Sequence, residues 1–352
     1  MQHIIYSESK MRYHFNMEKL SFFEIEDWEE EYIKKALSAY NCQFTSESLS
    51  EKNVESFNST TILSTMLYSV LDPNMLSKLP NLKMIATRTT GFDHIDLNYC
   101  KQRGIVVCNV PSYGETTVAE HTFALILALS RNIVQSAQRT RRGNFSLDGL
   151  EGFDIADKTI GVIGLGHIGK RVAQIALGFK MKVIVYAHKK DEDLAQNSNV
   201  YFINDLDLLF ARSDIITLHI PASPENNHII NLDNIAKFKK GSLLINTSRG
   251  SLIDTQAIVY GLEKKILRGV GLDVVEDEAI VKEERAILTQ NLKPNNLETL
   301  LLNHVLLGYE NVIITPHNAF NSHEALKTIL DTTVMNIRGF LEDKLQNKID
   351  QP

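Results

Sequence analysis

The sequence predicts an α/β protein built from two doubly wound parallel-sheet domains with a cleft between them, and three observations carry that expectation. The chain is 352 residues long, beyond the roughly 250 to 300 residues at which a single hydrophobic core stops growing, so two domains are expected. Strand-like and helix-like segments alternate in two successive runs, and strands joined through helices pair in parallel. In the second run a glycine turn, GLGHIG at Gly164–Gly169, sits between strand-like TIGVI and helix-forming KRVAQIALGF.

The elements follow in order. KLSFFEI, beginning at Lys19, reads as a first strand, Trp28 to Tyr40 as a helix, and TTILSTML, Thr60 to Leu67, as a buried strand. Pro73 opens a short helix, because a proline is tolerated where the first turn has no N–H partner. NLKMIATR is a strand, Leu97 to Arg103 a helix, and IVVCNV a strand ending before Pro111. Thr117 to Arg142 has apolar residues at helical spacing and no internal Gly or Pro, which predicts one long helix with a domain boundary near its start. RRGNFSLDGLEGFD then contains three glycines and reads as a loop. From Lys158 to Thr315 come six further β segments: TIGVIG, MKVIVYA, DIITLHI, SLLINTS, GVGLDVV and NVIITPH. After His317 a last helix, SHEALKTILDTTVMNIRGFLEDK, has no further strand to follow it, so it is expected to return to the first domain. Residues 1 to 16 precede a second methionine, Met17, and are expected to stand outside the fold.

Composition narrows the function. With 37 basic and 43 acidic residues the formal charge is −6, and no long basic run is present, so nucleic acid is not an expected partner. Cys42, Cys100 and Cys108 form no CxxC, which fits a reducing cytoplasmic setting and no structural metal. The N-terminus lacks the apolar core of a signal peptide. The most apolar segment, Thr122 to Ser130, is far shorter than the ~18 residues a membrane span requires.

Each glycine of the turn has a chemical reason. Gly164 permits a tight turn, Gly166 removes a side chain where a pyrophosphate must approach, and Gly169 lets helix and strand pack closely. The N–H groups opening the helix then attract the phosphates of a dinucleotide. About 20 residues further on, a carboxylate would normally grip the adenosine ribose of NAD. Here the second strand ends in Tyr186, Ala187, His188, Lys189 and Lys190. With no acid to repel a 2′-phosphate, NADP should be tolerated beside NAD; the alternative is that both lysines are solvated loop charges.

Arg249, Glu278 and His317 follow three successive strand-like segments, where such a sheet places its chemistry. An arginine fork can hold a carboxylate and polarise the neighbouring carbonyl. A histidine can protonate the carbonyl oxygen as hydride reaches its carbon, and a carboxylate on the other ring nitrogen fixes the tautomer.

At this point the chain resembles the D-isomer-specific 2-hydroxyacid dehydrogenases from about Lys19 to Asp343, in seven ordered motifs: RTTGFDHID, NVPSYGETTVAEHT, GVIGLGHIG, HIPASPENN, LLINTSRGSLIDT, GLDVVEDE and TPHNAF. The resemblance implies two Rossmann-like or flavodoxin-like domains. A discontinuous substrate domain, 1–117 with 319–352, would enclose an inserted NAD(P)-binding domain, 118–318. It also implies that Arg249 binds substrate, that Glu278, with Glu276 as the competing carboxylate, supports the histidine, and that His317 is the acid/base. Gly91, Tyr113 and Phe320 would meet the substrate. His167, Ile168, Ile220, Pro221, Asn226, Thr247, Ser248 and Asp273 would meet the cofactor together with the glycine turn. Ala187 departs from the family's usual aspartate, and the long link between Glu278 and His317 resembles the D-lactate dehydrogenase branch. The resemblance further implies a homodimer formed through the helix 117–142. Reduction of a small 2-oxo acid is the expected activity. An NAD(H)-sensing corepressor on the same scaffold, or phosphite or formate oxidation, stands as the alternative.

Overall fold

The computed structural model describes residues 18–278 and 294–350; the segment 1–16 and part of the long link before His317 lie outside the described residues. The chain divides into two compact units, one running up to Tyr113 and resuming at Ser322, the other comprising Gly114–Asn321.

The first unit carries β1 (Lys19–Phe22), α1 (Asp27–Ala36), β2 (Asn41–Phe44), β3 (Ile62–Thr65), α2 (Pro73–Ser77), β4 (Met84–Thr87), α3 (Leu97–Arg103) and β5 (Val106–Cys108). Its five strands are all parallel and lie in the order β2-β1-β3-β4-β5. Every residue of β3 and β4 is buried, as strands covered on both faces require. The helix ends follow local chemistry: Asp72 caps α2, Asp96 caps α3, and Gly104 closes α3 in the left-handed conformation at φ +67°. The helix expected to reach Tyr40 stops at Ala36, and NCQF becomes an edge strand that the sequence reading missed. The C-terminal helix His323–Leu341 packs Leu330, Val334 and Ile337 against Leu20, Phe22, Ile33 and Ile62 of this unit.

The second unit opens with α4 (Glu115–Ser130) and α5 (Ile133–Arg141). This corrects the single helix expected over Thr117–Arg142. Ser130 O accepts the Phe153 N–H at 2.8 Å, and the Asn132 side-chain amide reaches Glu151 O at 3.2 Å. The returning glycine loop thus takes the bonds that would continue the helix, and Asn132 turns left-handed at φ +52°.

There follow β6 (Thr159–Ile163), α6 (His167–Gly178), β7 (Lys182–Tyr186), α7 (Glu192–Ala195), β8 (Val200–Ile203), α8 (Leu206–Arg212), β9 (Ile215–Leu218), α9 (Leu232–Ile235), β10 (Ser242–Asn246), α10 (Thr255–Glu263), β11 (Leu267–Leu272), α11 (Pro294–Leu307) and β12 (Val312–Ile314). Among the described residues the sheet has seven parallel strands, β12-β11-β10-β9-β6-β7-β8, one more than the six expected. The missing one is β8, a short edge strand. Phe123, Ile126, Val172 and Ala176 cover one face of the sheet, and Leu209, Phe210, Ile258 and Leu262 cover the other. Strand order reverses between β6 and β9, the switch point at which such sheets open a crevice beyond their carboxyl ends. Among the described residues no helix is long and apolar enough to cross a membrane.

Candidate active site

The glycine turn lies at the switch point, between β6 and the start of α6. Gly164 has φ +95°, and a Cβ there would run into the carbonyl of His219 and press on Ile220. A Cβ on Gly169 would enter the space of Gly164 O. Gly166 differs, because a Cβ there would meet nothing within 4 Å. It is the N-cap of the twelve-residue α6, so the turn leaves an open approach to the first N–H groups of that helix. Space of this kind, at a helix start that carries no acid in its first turn, fits a dinucleotide pyrophosphate. His167 Nδ1 lies 3.3 Å from Glu115 Oε1, and Ile168 packs against the core.

At the end of β7, Ala187 packs against the core, and His188, Lys189 and Lys190 follow it. The nearest acid in this loop, Asp191, is engaged: it caps α7 through Leu194 N and pairs with Lys170 Nζ at 2.7 Å. After β9, Ile220 packs on the core, and the Asn226 amide donates to Pro221 O at 3.3 Å. Under the turn sits His219, whose Nδ1 has no partner among the described residues. Burial lowers its pKa to about 3, so the ring is neutral.

The three reacting candidates follow adjacent strands, β10, β11 and β12. Beyond β10, Thr247 Oγ1 meets Thr122 Oγ1 at 3.1 Å, and Ser248 Oγ donates to Leu218 O at 2.6 Å. The Asn246 side chain bridges Ser248 N and Arg249 O, while the guanidinium donates to Ser248 O at 2.8 Å. A Cβ on the next residue, Gly250, would collide with Val275 O, so the arginine loop rests directly on the chain leaving β11.

His317 and Glu278 come together. His317 Nδ1 lies 3.1 Å and 3.0 Å from the two carboxylate oxygens of Glu278, and both side chains are 20% exposed. The proton of a neutral ring therefore belongs on Nδ1, leaving Nε2 as the atom that can exchange a proton with a ligand. His317 is left-handed at φ +54°, a conformation that persists only where its surroundings impose it. They do so through Asp273, only 1% exposed. Its Oδ1 accepts from Thr315 Oγ1 at 2.6 Å and Asn318 N at 2.9 Å, and its Oδ2 accepts from Ala319 N at 2.9 Å. Both residues that follow His317 thus hang from a carboxylate at the end of β11. His121 Nε2 joins this network 3.1 Å from Thr315 Oγ1.

Glu276 is engaged elsewhere. One of its oxygens meets His228 Nε2 at 2.6 Å, and the other accepts from Thr255 N and Thr255 Oγ1. Between the two glutamates, Asp277 is held above its usual pKa, first by burial and then by the Glu276 charge. Of the remaining candidates, Gly91 and Tyr113 belong to the first unit, following β4 and β5, whereas Phe320 lies three residues beyond His317 in the second. The Asp273 bonds to the His317 segment and the His228–Glu276 pair lie beyond what the sequence pattern predicts. A buried acid directly after the GVGL strand was the available signal for the first, and only the fold could bring together the second.

Fold and site together define a dinucleotide-binding α/β protein with a histidine–carboxylate pair at its strand ends. Comparison with known proteins carries this further. Residues 123–319 match the sequence model described as the D-isomer specific 2-hydroxyacid dehydrogenase, NAD binding domain. A 2-hydroxyacid dehydrogenase homolog of Haemophilus influenzae is 36% identical over 338 residues, 95% of this chain and 99% of the relative. The D-lactate dehydrogenase of Escherichia coli is 33% identical over 323 residues, 91% of this chain and 95% of the relative. The crystal structure of D-lactate dehydrogenase from Aquifex aeolicus, complexed with NAD and lactic acid, has a TM-score of 0.83 at 36% identity, covering 95% of this chain and 99% of that one. The chain belongs to the D-isomer-specific 2-hydroxyacid dehydrogenase family and is an NAD-dependent oxidoreductase acting on the CH–OH group of 2-hydroxy acids.

Proposed function

We propose that the protein is a D-lactate dehydrogenase-like 2-oxo acid reductase that accepts NADP as well as NAD. The observation that carries the reductase reading is the pairing of His317 Nδ1 with both oxygens of Glu278, which follows β11, the strand beside the β10 that leads to Arg249. The bound nicotinamide supplies the hydride in reduction and accepts it in oxidation. Arg249 holds the substrate carboxylate by its guanidinium fork and polarises the adjacent carbonyl. His317 gives a proton from Nε2 to the carbonyl oxygen during reduction and takes it back during oxidation. Glu278 keeps the ring in the required tautomer and balances the imidazolium charge. Gly91, Tyr113 and Phe320 contact the substrate. Gly164, Gly166, His167, Ile168, Gly169, Ala187, His188, Lys189, Ile220, Pro221, Asn226, Thr247, Ser248, Arg249 and Asp273 would hold the cofactor.

The expected substrate domain, 1–117 with 319–352, and cofactor domain, 118–318, fall within four residues of the two compact units, which divide after Tyr113 and before Ser322. The three unpaired cysteines agree with a cytoplasmic setting. Two copies associate through the region 117–142. In support, α5 buries none of its residues and leaves Ile133 and Val134 exposed, while Phe145 and Leu147 beyond it are 76% and 82% exposed.

Initial rates with pyruvate, phenylpyruvate, 2-oxoisocaproate, glyoxylate and hydroxypyruvate, each with NADH and NADPH, test the reading; no turnover with any of them refutes it. His317→Ala is expected to lower kcat on the order of 10²- to 10⁴-fold while NADH still binds. A chain that binds NADH and keeps its partner-binding behaviour without His317 would instead be a cofactor sensor.

A further inference from the structure

The pair His228–Glu276 lies outside the reacting groups, yet it joins the loop of Arg249 to the turn that carries Glu278. His228 leaves β9, and its backbone N–H donates to Ser251 O at 2.9 Å, two residues after Arg249. Its carbonyl accepts the Asn231 amide at 2.9 Å, and Ile230 then pairs with Leu252 and Ile253. The imidazole turns the other way, toward the chain leaving β11, where Nε2 meets Glu276 Oε1 at 2.6 Å. Glu276 is anchored on two further sides, by Thr255 at the start of α10 and by Asn303 of α11, whose amide donates to Glu276 O at 2.9 Å.

From this fixed point the chain needs only a left-handed Asp277, φ +54°, to bring Glu278 to His317. His228 is itself left-handed, at φ +50°. Two strained residues thus flank one charge-assisted bond, an arrangement that surrounding bonds must impose.

We infer that His228 is a positioning residue for the acid/base pair: by holding Glu276 it fixes the turn that delivers Glu278 to His317, and it ties that turn to the arginine loop. The inference rests on the proposed roles of His317 and Glu278. His228 touches no reacting atom, and its effect runs wholly through Glu276. A side chain at position 228 that cannot donate leaves the Glu276 carboxylate short of its strongest partner. Glu278 then drifts, and proton transfer loses alignment.

The test uses the full chain labelled with ¹⁵N-histidine. A downfield proton resonance from the Nδ1–H held by Glu278, absent in His317→Asn and Glu278→Gln, reports the pair without turnover. His228→Ala is expected to lose or weaken this resonance and to lower kcat roughly 10- to 100-fold, the scale of a misplaced reacting group, with the KM for NADH unchanged. His228→Gln, whose amide can still donate to Glu276, should restore both. His228→Leu serves as the donor-free variant if the alanine protein does not fold. An unchanged resonance and kcat in the alanine or leucine variant overturns the inference, as does a glutamine variant no better than alanine. Absence of the resonance in the wild-type protein overturns the pairing itself. A wild-type chain that shows the resonance but reduces no 2-oxo acid instead refutes the proposed function, so the two failures are told apart.

Discussion

Alanine at Gly166 and alanine at Gly169 should have opposite effects, because one glycine faces space and the other faces backbone. At Gly166 the backbone (φ −71°, ψ −169°) is open to any residue, and an added Cβ meets nothing within 4 Å. Alanine is a poorer N-cap than glycine by about 0.7 kcal/mol, and the stiffer unfolded chain returns about 0.4–1 kcal/mol. Folding stability should therefore change by less than about 0.5 kcal/mol, the range of an ordinary surface substitution. The new methyl group stands where a pyrophosphate must approach, so NADH affinity should fall at least tenfold, about 1.4 kcal/mol. At Gly169 the Cβ would overlap Gly164 O, with His219 Cβ 3.4 Å away. Helix α6 must back off from the turn, at a cost of about 1–3 kcal/mol. Denaturant unfolding of the ligand-free variants, followed by NADH titration on the protein's fluorescence, reads both quantities. A Gly166→Ala protein that binds NADH like wild type would refute the assignment of this turn to the phosphates. One as destabilised as Gly169→Ala would refute the packing argument.

Two further outcomes follow from the site. Ala187→Asp places a carboxylate where a 2′-phosphate would lie, so the ratio of kcat/KM with NADH to that with NADPH should rise at least tenfold, about 1.4 kcal/mol; steady-state rates with each cofactor decide this, and an unchanged ratio removes the 2′-phosphate from that position. His219, neutral in the fold with its pKa lowered to about 3, should make stability depend on pH. The unfolded state binds the extra proton between that value and about 6.5, so this contribution is complete above pH 6.5 and declines as pH falls, by at most about 1.4 kcal/mol per unit. His219→Asn should flatten that part of the curve of unfolding free energy against pH, and an unaltered slope would show that the ring takes its proton without unfolding.

The parts most legible in the sequence were those where local chemistry and tertiary position agree. Asp96 and Gly104 bracket a helix whose ends fall where capping rules put them, and the glycine turn takes its expected shape because two of its glycines are demanded by backbone contact. Edge strands were harder to read. NCQF and VYFI are short and half-exposed, so neither shows the continuous apolar run of β3 or β10. The apparent single helix over Thr117–Arg142 failed for another reason: the break at Asn132 is made by residues 151–153, which no local pattern reveals. At the candidate site, residue types at strand ends pointed to Arg249, Glu278 and His317, of which the fold brings Glu278 and His317 together. The choice between Glu276 and Glu278 became a matter of distance once the fold had given His228 to the former. The anchoring of His317 by Asp273 stayed hidden because the two are 44 positions apart in the sequence and meet only through the pairing of β11 with β12.

The strand order β12-β11-β10-β9-β6-β7-β8 separates two inheritances along a single sheet. Under the proposed assignments, the loops after β6 and β7 carry residues that face only the nucleotide, whereas those after β10, β11 and β12 carry Arg249, Glu278 and His317 alongside the cofactor residues Thr247, Ser248 and Asp273. Mutational drift in the second group that spares Thr247, Ser248 and Asp273 can retune which acid is turned over while the first stays under unaltered constraint. A library confined to the loops beyond β10 to β12, with Thr247, Ser248 and Asp273 held fixed, would therefore explore new chemistry on a scaffold that continues to recognise the same coenzyme.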